Sequence, residues 1–203
     1  MPRDPRATER ALREIAADQG GYFTAGQALS VGYTYRQQHF HRQRGNWLRV
    51  DRGLFRMPDF PASRHENLVR WSLWSRDQKG RVQAVVSHES ALGVHELTDL
   101  MPAAVHLTVP RAFRKQSPSR IVIHRGEVLP ADRELHTGFM VTTPFRTILD
   151  VAEGDLSPEH LAAALGDAMD RGLVRRRRLQ RAPLSAKGRE RLSEALLSLG
   201  GTI

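Results

Sequence analysis

The chain has 203 residues and a formal net charge of +9, and its 40% hydrophobic content is enough for real cores, which excludes a disordered polyelectrolyte. It has no cysteine, so a disulfide scaffold and thiol chemistry are excluded as well. Arginine far outnumbers lysine and is clustered, which favours a polyanionic partner or an anionic surface.

No apolar run near the N-terminus has signal length, and none later approaches the roughly 18 residues of a membrane span. A cytoplasmic protein with no membrane partner is the expectation. Residues 1–5 read as a frayed tail. From Ala7 to Asp18, Ala11, Leu12, Ile15 and Ala16 fall on one helical face, so a first helix covers the next two. Gly20-Gly21 breaks it, and Tyr22 and Phe23 enter the core. Thr24-x-x-Gln27 and Thr34-x-x-Gln37 each have capping-box spacing, with Gly32 between them as a C-cap. Two short helices joined by a tight turn result, with Ala25, Ala28 and Leu29 packing the first and Tyr35 to Arg44 forming the second.

Trp47 to Val50 and Leu54 to Met57 flank Asp51-Arg52-Gly53 in a hairpin pattern that Pro58 ends. Helix, turn, basic helix and hairpin form the order of a winged helix-turn-helix, whose second helix enters the major groove. Thr34 to Met57 holds six arginines, two histidines and the single acid Asp51. The candidate DNA contacts are Thr34, Tyr35, Arg36, Gln37, Gln38, His41, Arg42 and Arg44 on the helix, with Arg49, Arg52 and Arg56 on the wing. Arginine can donate bidentately to guanine and glutamine can pair with adenine. Tyr35 and Phe40 are the apolar residues of this helix and make a thin packing face. Trp47, Val50, Leu54 and Phe55 are expected to close a small shared core, with Trp47 as its lid.

Pro58 to Ser63 reads as a linker, which places a DNA-binding domain at residues 1–58 and an α+β domain at 64–203. The second begins with a helix over His65 to Gln78 carrying Trp71 and Trp74 on one face. A strand at Gln83 to Ser87 leads into a helix over Ser87 to Leu97. Its His88-Glu89 and His95-Glu96 lack HExxH spacing, so no metal or other cofactor is expected. Further strands are expected at Val105 to Val109, Ile121 to His124 and Gly138 to Thr142. The acid-free loop between the first two carries Arg111, Arg114 and Lys115. Thr143-Pro144 and Ser157-Pro158 cap two further helices, with Arg146 and Asp150 paired at i,i+4. Residues 171–191 hold nine basic residues against Glu190 alone, among them Arg175, Arg176, Arg177, Arg178 and Arg181, a secondary basic patch. A last helix begins after Ser185. The fold class expected is α+β, a winged helix followed by a small mixed domain and C-terminal helices.

The ordered set SHESALGVHEL, VHLTVPR and VTTPFRTILD, together with GGYFTAGQALSVGYTYRQQHFHRQRGNWLRVDRGLFRMP, resembles the AbiEi family of antitoxins over about residues 7 to 175. The resemblance implies a winged helix that binds inverted repeats in double-stranded DNA upstream of its own gene and represses its operon, and two half-sites there would match a two-fold homodimer on the DNA. It implies a second domain that neutralises a nucleotidyltransferase-like toxin. Family members commonly carry an aliphatic residue where Gln38 stands and near Arg42, so the third helix is expected to pack differently here. Several relatives carry a longer nuclease-like domain, for which the length after the last helix is too short. A catalytic role is not expected, because no paired carboxylates precede a Gly-rich phosphate loop and no nucleophile elbow is present. A stand-alone DNA-binding regulator without a toxin and an RNA-binding protein are the other readings.

Overall fold

Capping chemistry sets the first three helices of the computed structural model, which describes residues 4–100 and 102–200. Asp4 accepts the amide of Arg6 and Pro5 takes the first turn, so α1 (Pro5–Asp18) starts before Ala7. Residues 1–3 of the expected tail lie outside the described residues. The Thr24 side chain accepts the amide of Gln27, whose own side chain accepts the amide of Thr24, and this box opens α2 (Ala25–Val31). Gly32 ends α2 in the left-handed conformation, with φ 118°. Thr34 and Gln37 repeat the box at α3 (Tyr35–Gln43). Each N-cap contributes about 1 kcal/mol.

Three strands complete this part: β1 (Tyr22–Thr24), β2 (Leu48–Asp51) and β3 (Leu54–Arg56), an antiparallel sheet in the order β1-β3-β2. The β2–β3 hairpin matches its sequence pattern. Strand β1 has no such pattern, because all three of its residues are buried and nothing alternates. The core is aromatic. Trp47 is buried, edge-on to Phe23 at 4.8 Å and to Tyr33 at 4.9 Å, and Phe23 stacks on Phe55 at 5.7 Å. Val50, expected in that core, is only half-buried, because the register shift between Arg49 and Asp51 leaves it without a partner on β3. Leu29 is exposed.

The first packing unit does not stop at residue 58. It runs to Ala84, with α4 (Glu66–Trp74) packed on β1, and it also includes Leu135–Phe139. The segment after Pro58 is irregular as expected, yet it is a loop inside a unit. Buried Ser75 receives the amide of Ala84, the last residue of the unit's long N-terminal stretch.

The second unit is α+β. A mixed sheet in the order β6-β5-β4-β8-β7 is built from β4 (Val85–Val86), β5 (Val105–Val109), β6 (Ile121–Arg125), β7 (Arg133–His136) and β8 (Phe139–Thr142), of which residues 135–139 are counted with the first unit. Strand β7 has no legible sequence signal: it lies at a sheet edge, and Arg133, Glu134 and Leu135 are all exposed. The helices are α5 (His88–Val94), α6 (Pro144–Glu153), α7 (Pro158–Asp170), α8 (Arg176–Gln180) and α9 (Ala186–Ser198). Leu161, Ala164, Leu165 and Ala168 are fully buried, as the spacing of α7 demands. Arg191 donates to the carbonyls of Val151, Ala152, Gly154 and Leu156 at the end of α6, where orphan acceptors and the helix dipole favour a cation. Arg146 pairs with Asp150 at 2.7 Å as expected and also reaches Asp132 at 3.5 Å, yet burial lifts the Asp150 carboxyl to about 6.

A histidine cluster lies within this unit. The ring of His88 stacks on that of His124 with centroids 3.4 Å apart, and His106 Nδ1 is 3.2 Å from His124 Nε2 and 2.7 Å from Glu89 Oε2. Stacked planes do not converge their lone pairs on a common point. His95 is occupied elsewhere, its Nε2 2.6 Å from the Thr142 carbonyl. Among the described residues no group of three or more His, Asp or Glu is placed to hold a metal.

Burial, reinforced by His124, holds His88 down at about 3. Unfolded His88 takes a proton near pH 6.5 while the folded form does not, so its stabilisation is complete above 6.5 and falls as pH drops toward 3. A His88→Asn variant, which keeps a residue tolerant of the positive φ of 52° at this position, isolates that contribution. The stability difference between wild type and variant in urea titrations is expected to shrink by up to about 1.4 kcal/mol per pH unit below 6.5. A difference unchanged between pH 7 and 5 would refute the assignment.

Candidate nucleic-acid interface

At 100° per residue, the face of α3 turned inward is not the one its composition suggests. Gln38 is only 4% exposed and donates its side-chain amide to the carbonyl of Ala25 at 3.2 Å, while His41 stacks on Trp47 at 4.7 Å. Burial lowers the His41 pKa, and its Nδ1 accepts from the side-chain amide of Asn46 at 3.2 Å. These two residues are the packing face of the helix. Gln38 therefore leaves the set of groove contacts, and His41 is half-buried against Trp47. Gln38 occupies the place where the resemblance has an aliphatic residue, and it is tolerated there because its amide is bonded.

Rotation outward exposes Arg36, His39, Phe40 and Gln43, at i, i+3, i+4 and i+7 along one stripe. Phe40, expected in the packing face, is 49% exposed, and Tyr35 is 72% exposed. His39, Phe40 and Gln43 were not among the sequence candidates. Starting the helical repeat from Arg36 would have found them. Arg42 is exposed, with a guanidinium nitrogen 3.1 Å from His39 Nδ1, and the Arg44 guanidinium lies 5.3 Å from the Phe40 ring centroid. Thr34 and Gln37 are exposed, with their side-chain oxygens engaged in the cap of α3.

The wing arginines divide likewise. Arg49 on β2 and Arg52 at the turn are exposed. Asp51, the one acid of the region, accepts the Arg52 amide at 2.6 Å. Arg56 is placed differently: on β3 it is paired with Tyr22 of β1, and its guanidinium lies 5.8 Å from the Tyr22 ring centroid. Its side chain is 15% exposed, donates to the Phe60 carbonyl at 2.9 Å and lies 3.7 Å from Glu66. It is a structural residue of the first unit, which corrects its assignment to the wing surface.

A residue missed in the sequence braces the wing. Arg76, after α4, donates to the carbonyls of Leu73 at 2.8 Å and Gly53 at 2.9 Å, and its pKa is lowered by burial. Gly53 at the wing turn has φ 64°, and a Cβ there would sit 3.2 Å from the Arg76 guanidinium. The same Gly53 carbonyl accepts the amide of Ala25, whose own carbonyl accepts from Gln38. Helix α3, the start of α2, the wing turn and Arg76 are thus registered by one chain of hydrogen bonds. Nothing in the local pattern around residue 76 announces this role.

In the second unit Arg111, Arg114 and Lys115 are exposed on a loop pinned by buried Phe113. Arg175, Arg177, Arg178 and Arg181 are exposed at α8, with Arg178 stacked over the Phe145 ring at 3.8 Å, whereas Arg176 is half-buried. Part of the 171–191 run is structural: Arg171 donates to the carbonyls of His95 and Glu96, Lys187 pairs with Asp155, and Arg191 caps α6.

Among the described residues no helix is long and apolar enough to cross a membrane. No protein-family model matches the chain, and no curated protein matches it. Among solved structures, it is similar to the crystal structure of the RV2827C protein from Mycobacterium tuberculosis, at 17% sequence identity and a TM-score of 0.48, over 96% of this chain and 83% of that one.

Proposed function

We propose that the chain is a sequence-specific, non-catalytic binder of double-stranded DNA. The observation that carries this reading is the exposed stripe of α3, Arg36, His39, Phe40 and Gln43, in the same packing unit as a wing bearing exposed Arg49 and Arg52. The helix has the width to enter the major groove, its polar residues match base-edge donors and acceptors, and the wing arginines suit backbone phosphates. The resemblance to AbiEi antitoxins narrows the proposal. The DNA is then an inverted repeat upstream of the chain's own gene, bound by a homodimer that represses the operon, and the second unit neutralises a nucleotidyltransferase-like toxin.

Gel shifts test the DNA reading. A duplex from upstream of the gene is expected to bind more tightly than a scrambled duplex at moderate salt. Its affinity should fall linearly with the logarithm of salt concentration, since each neutralised phosphate releases counterions. Equal affinity for both duplexes would remove sequence-specific regulation. Co-expression with the adjacent gene separates the two versions of the proposal: growth rescue with copurification supports the antitoxin, and a neighbour with no toxicity leaves a stand-alone regulator.

A further inference from the structure

Phe40 is 49% exposed in the middle of a stripe whose other residues, Arg36, His39 and Gln43, are polar. Its ring is held from two sides. The His41 ring meets it edge-on at 5.7 Å, and the Arg44 guanidinium lies 5.3 Å from its centroid, one turn along the helix. The core does not use Phe40, since Gln38 and His41 supply the packing face of α3. A partly dehydrated aromatic ring flanked by Arg36, Arg42 and Arg44 fits a surface that is anionic at its rims and carries apolar groups at its floor. The major groove is such a surface, and its apolar groups are the C5-methyls of thymine.

We propose that Phe40 is a specificity-determining residue that reads a thymine methyl group, one per half-site, while the arginines around it hold the phosphates. This rests on the DNA-binding reading and adds to it the chemistry of one base position. Position 40 is at the centre of the stripe, between Arg36 and Gln43, so the thymine lies inside the recognised sequence and not at its margin. Contact with the methyl excludes water from both apolar groups, and cytosine at that site offers hydrogen in place of the methyl.

The experiment uses the full chain and duplexes selected by it from a random pool. Each thymine of the selected duplex is replaced in turn by deoxyuridine, which removes only the C5-methyl. For the wild type, replacement at one position per half-site is expected to weaken binding about fourfold, the value of one buried methyl-sized group. Phe40→Ala should bind thymine and uracil duplexes equally at that position, and Phe40→Leu should keep part of the discrimination. Circular dichroism of the variants checks that the exposed substitution leaves the fold intact. Uniform indifference of the wild type to uracil would overturn the proposal while leaving DNA binding standing, as would discrimination that survives in Phe40→Ala. If no duplex is enriched from the pool, the DNA-binding reading and this inference both fall.

Discussion

Replacing Arg36, Arg49 and Arg52 together by alanine is expected to weaken binding to the upstream duplex by roughly a hundredfold at moderate salt, with the fold unchanged. All three side chains are exposed, so their removal leaves no cavity. Arg49 and Arg52 stand on the wing as phosphate ligands, and losing them lowers affinity equally for all sequences and reduces the salt slope by about 2. Arg36 opens the outward stripe of α3, and its loss relaxes preference at a base position as well. Fluorescence anisotropy across a salt series measures both quantities. Arg10→Ala, exposed on α1 and outside the stripe and the wing, provides the control. A triple variant with the wild-type salt slope would mean that the interface lies elsewhere on the chain.

Trp47→Ala is expected to cost about 3–5 kcal/mol, the usual range for truncating a buried aromatic. Set against a typical domain stability of roughly 5–15 kcal/mol, this leaves the first unit marginal or unfolded. The cost is high because the ring is the hub of the core. It meets Phe23 at 4.8 Å, Tyr33 at 4.9 Å and Phe55 at 5.8 Å, and it carries His41 stacked at 4.7 Å. His41 belongs to α3, so the seat of the reading helix is lost along with the core. Urea unfolding should show the drop, and DNA binding should vanish in the same variant. A loss below about 1.5 kcal/mol would show that Trp47 is not the keystone its contacts indicate.

The His88 and wing-brace findings share a cause with these two. In each case a residue's role comes from the groups that cross over to meet it. The His88 pKa is held down by burial under groups from elsewhere in the chain, with His124 and His106 arriving from β6 and β5, and Arg76 braces a turn more than twenty positions earlier in the chain. Neither pairing has a periodic signature. The Arg146–Asp150 pair, by contrast, is one turn apart on a single helix, and its spacing alone predicts it.

The features that the sequence determined by itself are local. Capping boxes at Thr24 and Thr34, the Thr143-Pro144 and Ser157-Pro158 helix starts, the Arg52-Gly53 turn and the packing face of α7 all depend on groups within a few residues of one another. Their chemistry is therefore written in short spacings. The order of helices and hairpin, and with it the winged-helix architecture, comes from those local signals. The tertiary structure alone decided which face of α3 is presented. Gln38 is buried with its side-chain amide on the Ala25 carbonyl, and His41 is half-buried because Trp47 offers it a ring to stack on. Tyr35 and Phe40 are left outside, against their hydrophobicity, because Gln38 and His41 already occupy the inward face of the helix. Arg56 turns inward by the same logic, since Phe60 and Glu66 meet it on its face of β3. The extent of the first unit was decided that way too, by α4 docking on β1 across an irregular segment that reads as a linker.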